Sequence, residues 1–154
     1  MEDISEVIRM PVQAMQAVFG QFDGHIKKLE RQLKVTIVDR NGEVRISGGA
    51  PGVRKAGAVL NELTELSMRG NQIEEQNVDY AIAMSMEDNE DVLLEIDKDC
   101  ICHTVSGKPV KPKTLGQKQY VDAIRNNMIV FGLGPAGTGK TYLAMAMAIT
   151  AFKN

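Results

Sequence analysis

The stretch "GLGPAGTGKTYLAMAMAITAFKN", Gly132 to Asn154, decides how the chain is read. Inside it Gly134, Pro135, Ala136, Gly137, Thr138, Gly139, Lys140 and Thr141 fit the pattern G-x-x-x-x-G-K-[ST]. A polyphosphate needs many hydrogen-bond donors in a small space, and backbone amides supply them only where side chains do not block the approach. Gly134, Gly137 and Gly139 leave that approach open, and a helix starting near Gly139 turns the positive end of its dipole toward the anion. Lys140 adds a full charge that reaches the β and γ phosphates, and the Thr141 hydroxyl is suited to ligate Mg²⁺. A glycine-rich turn could match by chance. Here the apolar run Met128 to Leu133 reads as a buried strand leading in, and an Ala/Met-rich helix over Tyr142 to Ile149 follows, which favours phosphate binding.

Hydrolysis requires more than the loop: an acid on a neighbouring strand to hold the metal, a group to orient water, and commonly an arginine. That strand is expected many tens of residues downstream, whereas 13 residues follow Thr141. "VLLEID", ending at Asp97, has the look of such a strand but precedes the loop, so it reads as an ordinary strand end. No catalytic residue is assigned. One strand cannot make a sheet, so Met128–Leu133 and the following helix are expected to expose apolar surface, and residues 1–154 by themselves to hold nucleotide weakly.

Working back from the loop, "TVSGKPVKPKTLGQ" (Thr104 to Gln117) is rich in Gly, Pro and Lys and reads as an exposed connector. The expected organisation is an N-terminal domain over 1–96, a strand and connector over 97–113, and the start of a second domain over 114–154. A helix carrying Tyr120, Val121 and Ile124 follows the connector. Gln117 lies in "TLGQKQY", about twenty residues ahead of the loop, a placement like that of the adenine-contacting glutamine of helicase-like ATPases. Its amide can accept from N6 and donate to N7 of adenine, which makes ATP the expected nucleotide.

The first seventy residues alternate between the two structural periods. Ile4 to Met10 reads as a strand, and Pro11 opens a helix with Val12, Met15, Val18 and Phe19 on one face, ending at Gly20. Asp23 is placed to cap a second helix with Ile26, Leu29 and Leu33 inside. Val35 and Ile37, then Asn41-Gly42, then Val44 and Ile46 spell a two-residue hairpin that sets Arg40 opposite Glu43. Pro51 opens a third helix with Ala56, Val59, Leu60, Leu63 and Leu66 buried and Gly70 as its stop. A short helix around Val78 to Met86 and an acidic loop follow. The order is β-α-α-β-β-α.

With "KTLGQKQYVDAIRNNMIVFGLGPAGTGKTYLAMAMA" and "VFGQFDGHIKKLERQLKVTIVDRNGEVRISG" set out, the chain resembles the PhoH-like family of P-loop ATPases. The resemblance implies an α+β KH-like N-terminal domain, related to RNA-binding modules, followed by the truncated beginning of an α/β P-loop NTPase domain. It implies an intact protein that hydrolyses ATP and acts in RNA metabolism. KH modules clamp a nucleic-acid backbone with a GxxG loop. The matching tetrad is Gly20-Gln21-Phe22-Asp23, where Asp replaces the second glycine and sets a negative charge where phosphate would lie. Candidate partners are RNA, through a Lys27, Lys28 and Arg31 face, an RNA-processing protein, and further copies of the chain. The competing expectation is a non-enzymatic KH-like binding or assembly module with an inactive nucleotide loop.

Charge divides the chain: residues 1–96 hold 17 acids and 10 bases, and residues 97–154 hold 3 acids and 8 bases. Glu74 to Glu95 carries eight acids and no base, which should repel RNA. No apolar run approaches the length of a membrane span, and the acidic N-terminus is unlike a secretory signal, so a cytoplasmic protein that avoids membranes is expected. Cys100 and Cys102 are too close to staple a fold, which fits a reducing compartment. Cys100-Ile-Cys102-His103 invites a zinc reading, but on a strand His103 would point away from both thiols.

Overall fold

Period-two alternation in the first half produces a three-stranded antiparallel sheet in the order β1-β3-β2, with β1 at Asp3–Arg9, β2 at Val35–Arg40 and β3 at Glu43–Gly49. The structure is a computed structural model and describes residues 3–87 and 92–153. Its chain divides into two units, residues 1–94 and 95–154. The fold is α+β.

In the first unit the Asn41-Gly42 turn sets the register. Both residues take positive φ, 55° and 87°, as a type I′ turn demands, and Arg40 and Arg9 both pair with Glu43. Ile8, Val35, Ile37, Val44 and Ile46 then fall on one face of the sheet and are buried. Against them pack α1 (Val12–Phe19), α2 (Gly24–Leu33) and α3 (Ala50–Met68), which contribute Val18, Leu29, Leu60 and Leu63 to a single core. Burying each such side chain contributes about 1.5–3 kcal/mol. The element order β-α-α-β-β-α through α3 is the one read from the sequence.

Two local expectations fail. Val12 is 78% exposed, and the inward stripe of α1 is Ala14 and Val18, one helical turn apart; Val12, six residues before Val18, lies on another face. Asp23 sits at the N-cap of α2 but makes no side-chain cap bond, because it and Phe22 are left-handed (φ 58° and 53°) rather than extended as capping requires. Beyond α3, α4 (Glu75–Met86) starts in a capping box formed by Glu74 and Asn77. The acidic loop expected next falls at 88–91, outside the described residues.

"VLLEID" is a helix, not a strand end: α5 spans Val92–Asp97. Four apolar residues among six suit either period, and tertiary contact decides it here. The buried carboxylate of Glu62 accepts the Leu93 amide hydrogen at 2.7 Å, a fixed acceptor at the first turn of a helix. Leu93 and Leu94 join the core.

The second unit holds a small hairpin, β4 (Cys102–His103) with β5 (Pro109–Val110), and two helices, α6 (Leu115–Asn126) and α7 (Lys140–Lys153). Part of the stretch read as a connector is thus structured. The Thr104 hydroxyl accepts the Lys108 amide hydrogen across the turn, and Val110 and Pro112 are buried. Ile101, Val110, Val121, Leu143, Ala146 and Met147 form its core, and the Thr150 hydroxyl donates to the Ile101 carbonyl at 2.9 Å. Among the methionines, Met147 is buried, whereas Met86 and Met145 are half exposed.

Met128–Leu133 is not a strand. Met128, Phe131 and Leu133 are 100%, 86% and 95% exposed, which is the apolar exposure expected of a run with no neighbour to complete its hydrogen-bond ladder. No helix among the described residues is long and apolar enough to cross a membrane.

Candidate functional site

The glycine loop enters α7 directly. Gly137 and Gly139 have φ of 77° and 80°, a conformation that costs residues with a Cβ, so the chain can turn twice within three residues and still begin a helix at Lys140. Leu143 donates the first helical bond, to the Gly139 carbonyl at 2.9 Å. The amides ahead of it, at Lys140, Thr141 and Tyr142, are those that a helix start offers to an external acceptor. The Lys140 ammonium lies inside the loop: Nζ donates to the Gly134 carbonyl at 2.9 Å, the Pro135 carbonyl at 2.5 Å and the Thr138 hydroxyl at 3.0 Å. The Thr138 hydroxyl in turn donates to the Pro135 carbonyl at 3.0 Å. Gly134 to Thr138 are exposed, as is Thr141 in the first turn of α7. The structure thus brings Gly134, Pro135, Thr138, Gly139, Lys140 and Thr141 to one helix end.

Gln117 reaches the same loop from α6. The α6 N-terminus is capped by Thr114, whose hydroxyl accepts the Gln117 amide hydrogen at 3.2 Å. The Gln117 side chain accepts the Lys113 amide hydrogen at Oε1, 2.6 Å, and donates from Nε2 to the Thr138 carbonyl at 3.1 Å. Sequence reasoning had found this glutamine but not the carbonyl it holds, 21 residues away.

An ion network, also missed in the sequence, anchors α6. Asp99 accepts from both terminal guanidinium nitrogens of Arg125, Nη1 at 2.8 Å and Nη2 at 2.6 Å, and lies 3.1 Å from Lys118 Nζ. Lys118 and Arg125 also pair with Asp122, and Lys111 pairs with Asp97 at 2.7 Å. The Arg125 guanidinium first, and Lys118 after it, hold the Asp99 carboxyl below its ordinary value against the opposing effect of burial. The signal available in the sequence was three acids among eight bases from Asp97 onward.

In the first unit, the tetrad Gly20–Asp23 forms the loop between α1 and α2 as expected. The open cleft beside it, about 840 Å³, is lined by Gln13, Gln16, Gln21, Gln72, Phe22 and His25, with no lysine or arginine in its walls. The Lys27, Lys28 and Arg31 face is changed by the fold. Lys28 Nζ is 2.7 Å from Glu75 and 2.5 Å from Asp79, with its side chain only 16% exposed, so the acidic α4 has taken one of the three cations. Asp79 first, then Glu75, raises the Lys28 pKa. Lys27 donates to the Phe22 carbonyl at 2.9 Å and stays exposed, as does Arg31.

His103 does not point away from Cys100 as a regular strand would require: Nε2 lies 3.9 Å from Cys100 Sγ, because Cys100 precedes β4. Among the described residues no three His, Cys, Asp or Glu side chains gather to hold a metal ion.

An α+β chain whose second unit presents a glycine loop at a helix start is the class that fold and geometry define. Residues 109–154 match the family model described as "PhoH-like protein". The chain is 35% identical over 151 residues to a PhoH-like protein of Bacillus subtilis strain 168, covering 98% of this chain and 47% of that relative. It is 38% identical over 151 residues to one of Mycobacterium leprae, 97% and 43% covered, and 28% identical over 138 residues to one of Synechocystis, 90% and 42% covered. The chain belongs to the PhoH-like family. It spans about half the length of these curated relatives. No solved structure matches it.

Proposed function

We propose that Gly134 to Thr141 binds the phosphates of ATP, and that the intact protein is a cytoplasmic P-loop ATPase acting in RNA metabolism. The observation that carries this reading is the Lys140 ammonium enclosed by a glycine loop at the start of a fourteen-residue helix. Backbone amides of the loop and of the first turn of α7 would cradle the β-phosphate, and Lys140 would leave its loop acceptors for the β and γ phosphates. Thr141 would hold Mg²⁺, whose remaining ligands would come from phosphate oxygens and water, consistent with its preference for few protein ligands. Magnesium there would screen the charge between phosphates. The residues of this chain do the binding and orienting.

The RNA side of the reading rests on the β-α-α-β-β-α order, which is that of a KH module, and on Lys27 and Arg31 at the exposed face of α2. Asp23 and a cleft lined by Glu75 and by no lysine or arginine argue against a phosphate clamp at the tetrad itself. Further copies of the chain and an RNA-processing protein remain proposed partners on the strength of the family alone.

The test is ATP hydrolysis by the full-length protein with and without single-stranded RNA. Lys140→Ala is expected to lower the rate about a hundredfold or more. Unchanged ATP binding and turnover in that variant would refute the phosphate-loop assignment, and a rate indifferent to RNA would refute the link to RNA.

A further inference from the structure

Gln117 is a side chain outside the loop that the structure ties to it. Its amide bridges two backbone groups: the Lys113 N–H before α6 and the Thr138 carbonyl in the loop. The contact is close along its length, since a Cβ built on Gly139 would meet Nε2 at 3.3 Å. The Thr138 carbonyl belongs to the peptide that leads into Gly139. A trans peptide sets its C=O and N–H on opposite edges, so fixing the Thr138 carbonyl toward α6 leaves the Gly139 N–H facing away from Gln117. Gly139, lacking a Cβ, has little else to hold that peptide in one orientation. An adenine gripped by both ends of the amide would have to share or displace these two bonds.

We infer that Gln117 is a positioning residue of the phosphate loop, fixing the Thr138–Gly139 peptide for an anion, and not the reader of the base. This rests on the reading of Gly134–Thr141 as a nucleotide loop and deepens it. The site then recognises the triphosphate, whichever base is attached.

The experiment compares dissociation constants of the full-length protein for Mg-ATP, Mg-GTP and inorganic tripolyphosphate in the wild type, Gln117→Met and Thr114→Ala. Methionine keeps length and volume but makes neither amide bond; Thr114→Ala removes the α6 cap and leaves both. Gln117→Met is expected to weaken all three ligands by the same factor, about tenfold, as for one lost hydrogen bond. Thr114→Ala is expected to leave all three unchanged. Loss for ATP alone would make Gln117 a base reader and overturn the inference. Equal losses in the two variants would reduce its role to stabilising α6, and no loss in Gln117→Met would leave it none. A wild type that binds none of the three would refute the nucleotide loop instead. In that event the amide resonance of Gly139 decides separately: Gln117→Met must shift it and speed its hydrogen exchange, and an unmoved resonance overturns the inference.

Discussion

Two glycines of α3 give a paired test of how the first unit is packed. Gly52 and Gly57 lie in the same helix, so replacing either with alanine gains helix propensity, roughly 0.5–1 kcal/mol at interior Gly57 and no more than that at first-turn Gly52. Their surroundings differ. A Cβ at Gly52 would stand 2.5 Å from the Leu33 carbonyl oxygen and 3.1 Å from Val35 Cγ1, where α3 starts against the end of α2. The nearest obstacle is backbone, about 1 Å inside normal contact, and cannot rotate away. Moving α3 off α2 costs about 1–3 kcal/mol or more, which outweighs the propensity gain. The atoms nearest to a Cβ at Gly57 are those of the Glu6 carboxylate, at 3.2 Å, the far end of a flexible side chain on exposed β1. Gly57→Ala should therefore be neutral or stabilising by up to about 1 kcal/mol, and Gly52→Ala destabilising by about 1–2 kcal/mol. Urea titrations followed through the methyl resonances of Val44 and Leu60 report on this unit alone. A Gly52→Ala protein as stable as Gly57→Ala would show that the α2–α3 junction is not packed as described.

Two further outcomes are expected. Asp99→Asn should destabilise the second unit by about 1 kcal/mol, since it weakens a bidentate pair between a largely covered Asp99 carboxylate and an Arg125 that solvent partly screens. Because the folded Asp99 pKa is depressed, its contribution is present above the ordinary value of 3.8 and is lost as pH falls through the folded value. The wild type's advantage over Asp99→Asn, read by thermal melting, should hold at neutral pH and shrink below about pH 4; an advantage constant down to pH 2 would refute the network. Lys28→Ala should leave retention of single-stranded RNA by the full-length protein unchanged, because Glu75 and Asp79 already occupy that ammonium, whereas Lys27→Ala with Arg31→Ala should lower it. A loss from Lys28→Ala equal to that of the double variant would refute the neutralisation by α4.

What the sequence made legible was local. Asn41-Gly42 dictates a type I′ turn from its own φ angles, and that turn alone decides which of Val35, Ile37, Val44 and Ile46 face inward. The stripe of α3 and the glycine loop are likewise written in adjacent residues. What stayed hidden depends on residues far apart in the chain. "VLLEID" could not declare itself helix without the Glu62 carboxylate, 31 residues upstream. Lys28 looked like part of a basic face until α4 folded Glu75 and Asp79 onto it. Met128–Leu133 has the composition of a buried strand, yet a strand is a relation between chains of hydrogen bonds, and composition cannot supply the neighbour.

The same distinction separates Lys140 and Gln117, two of the polar side chains that hold the loop. Lys140 makes its three contacts within the loop, so on the proposed reading a bound phosphate would exchange them for stronger contacts between opposite charges, and the net gain would be their difference. Gln117 holds the opposite edge of the Thr138–Gly139 peptide and competes with nothing a triphosphate needs. On the proposed reading its bond would persist through binding and lower the ordering cost that the loop would otherwise incur when the anion arrives. Replacing Lys140 should thus abolish the favourable contact with the ligand, whereas replacing Gln117 should leave that contact available to a loop that adopts the required shape less often.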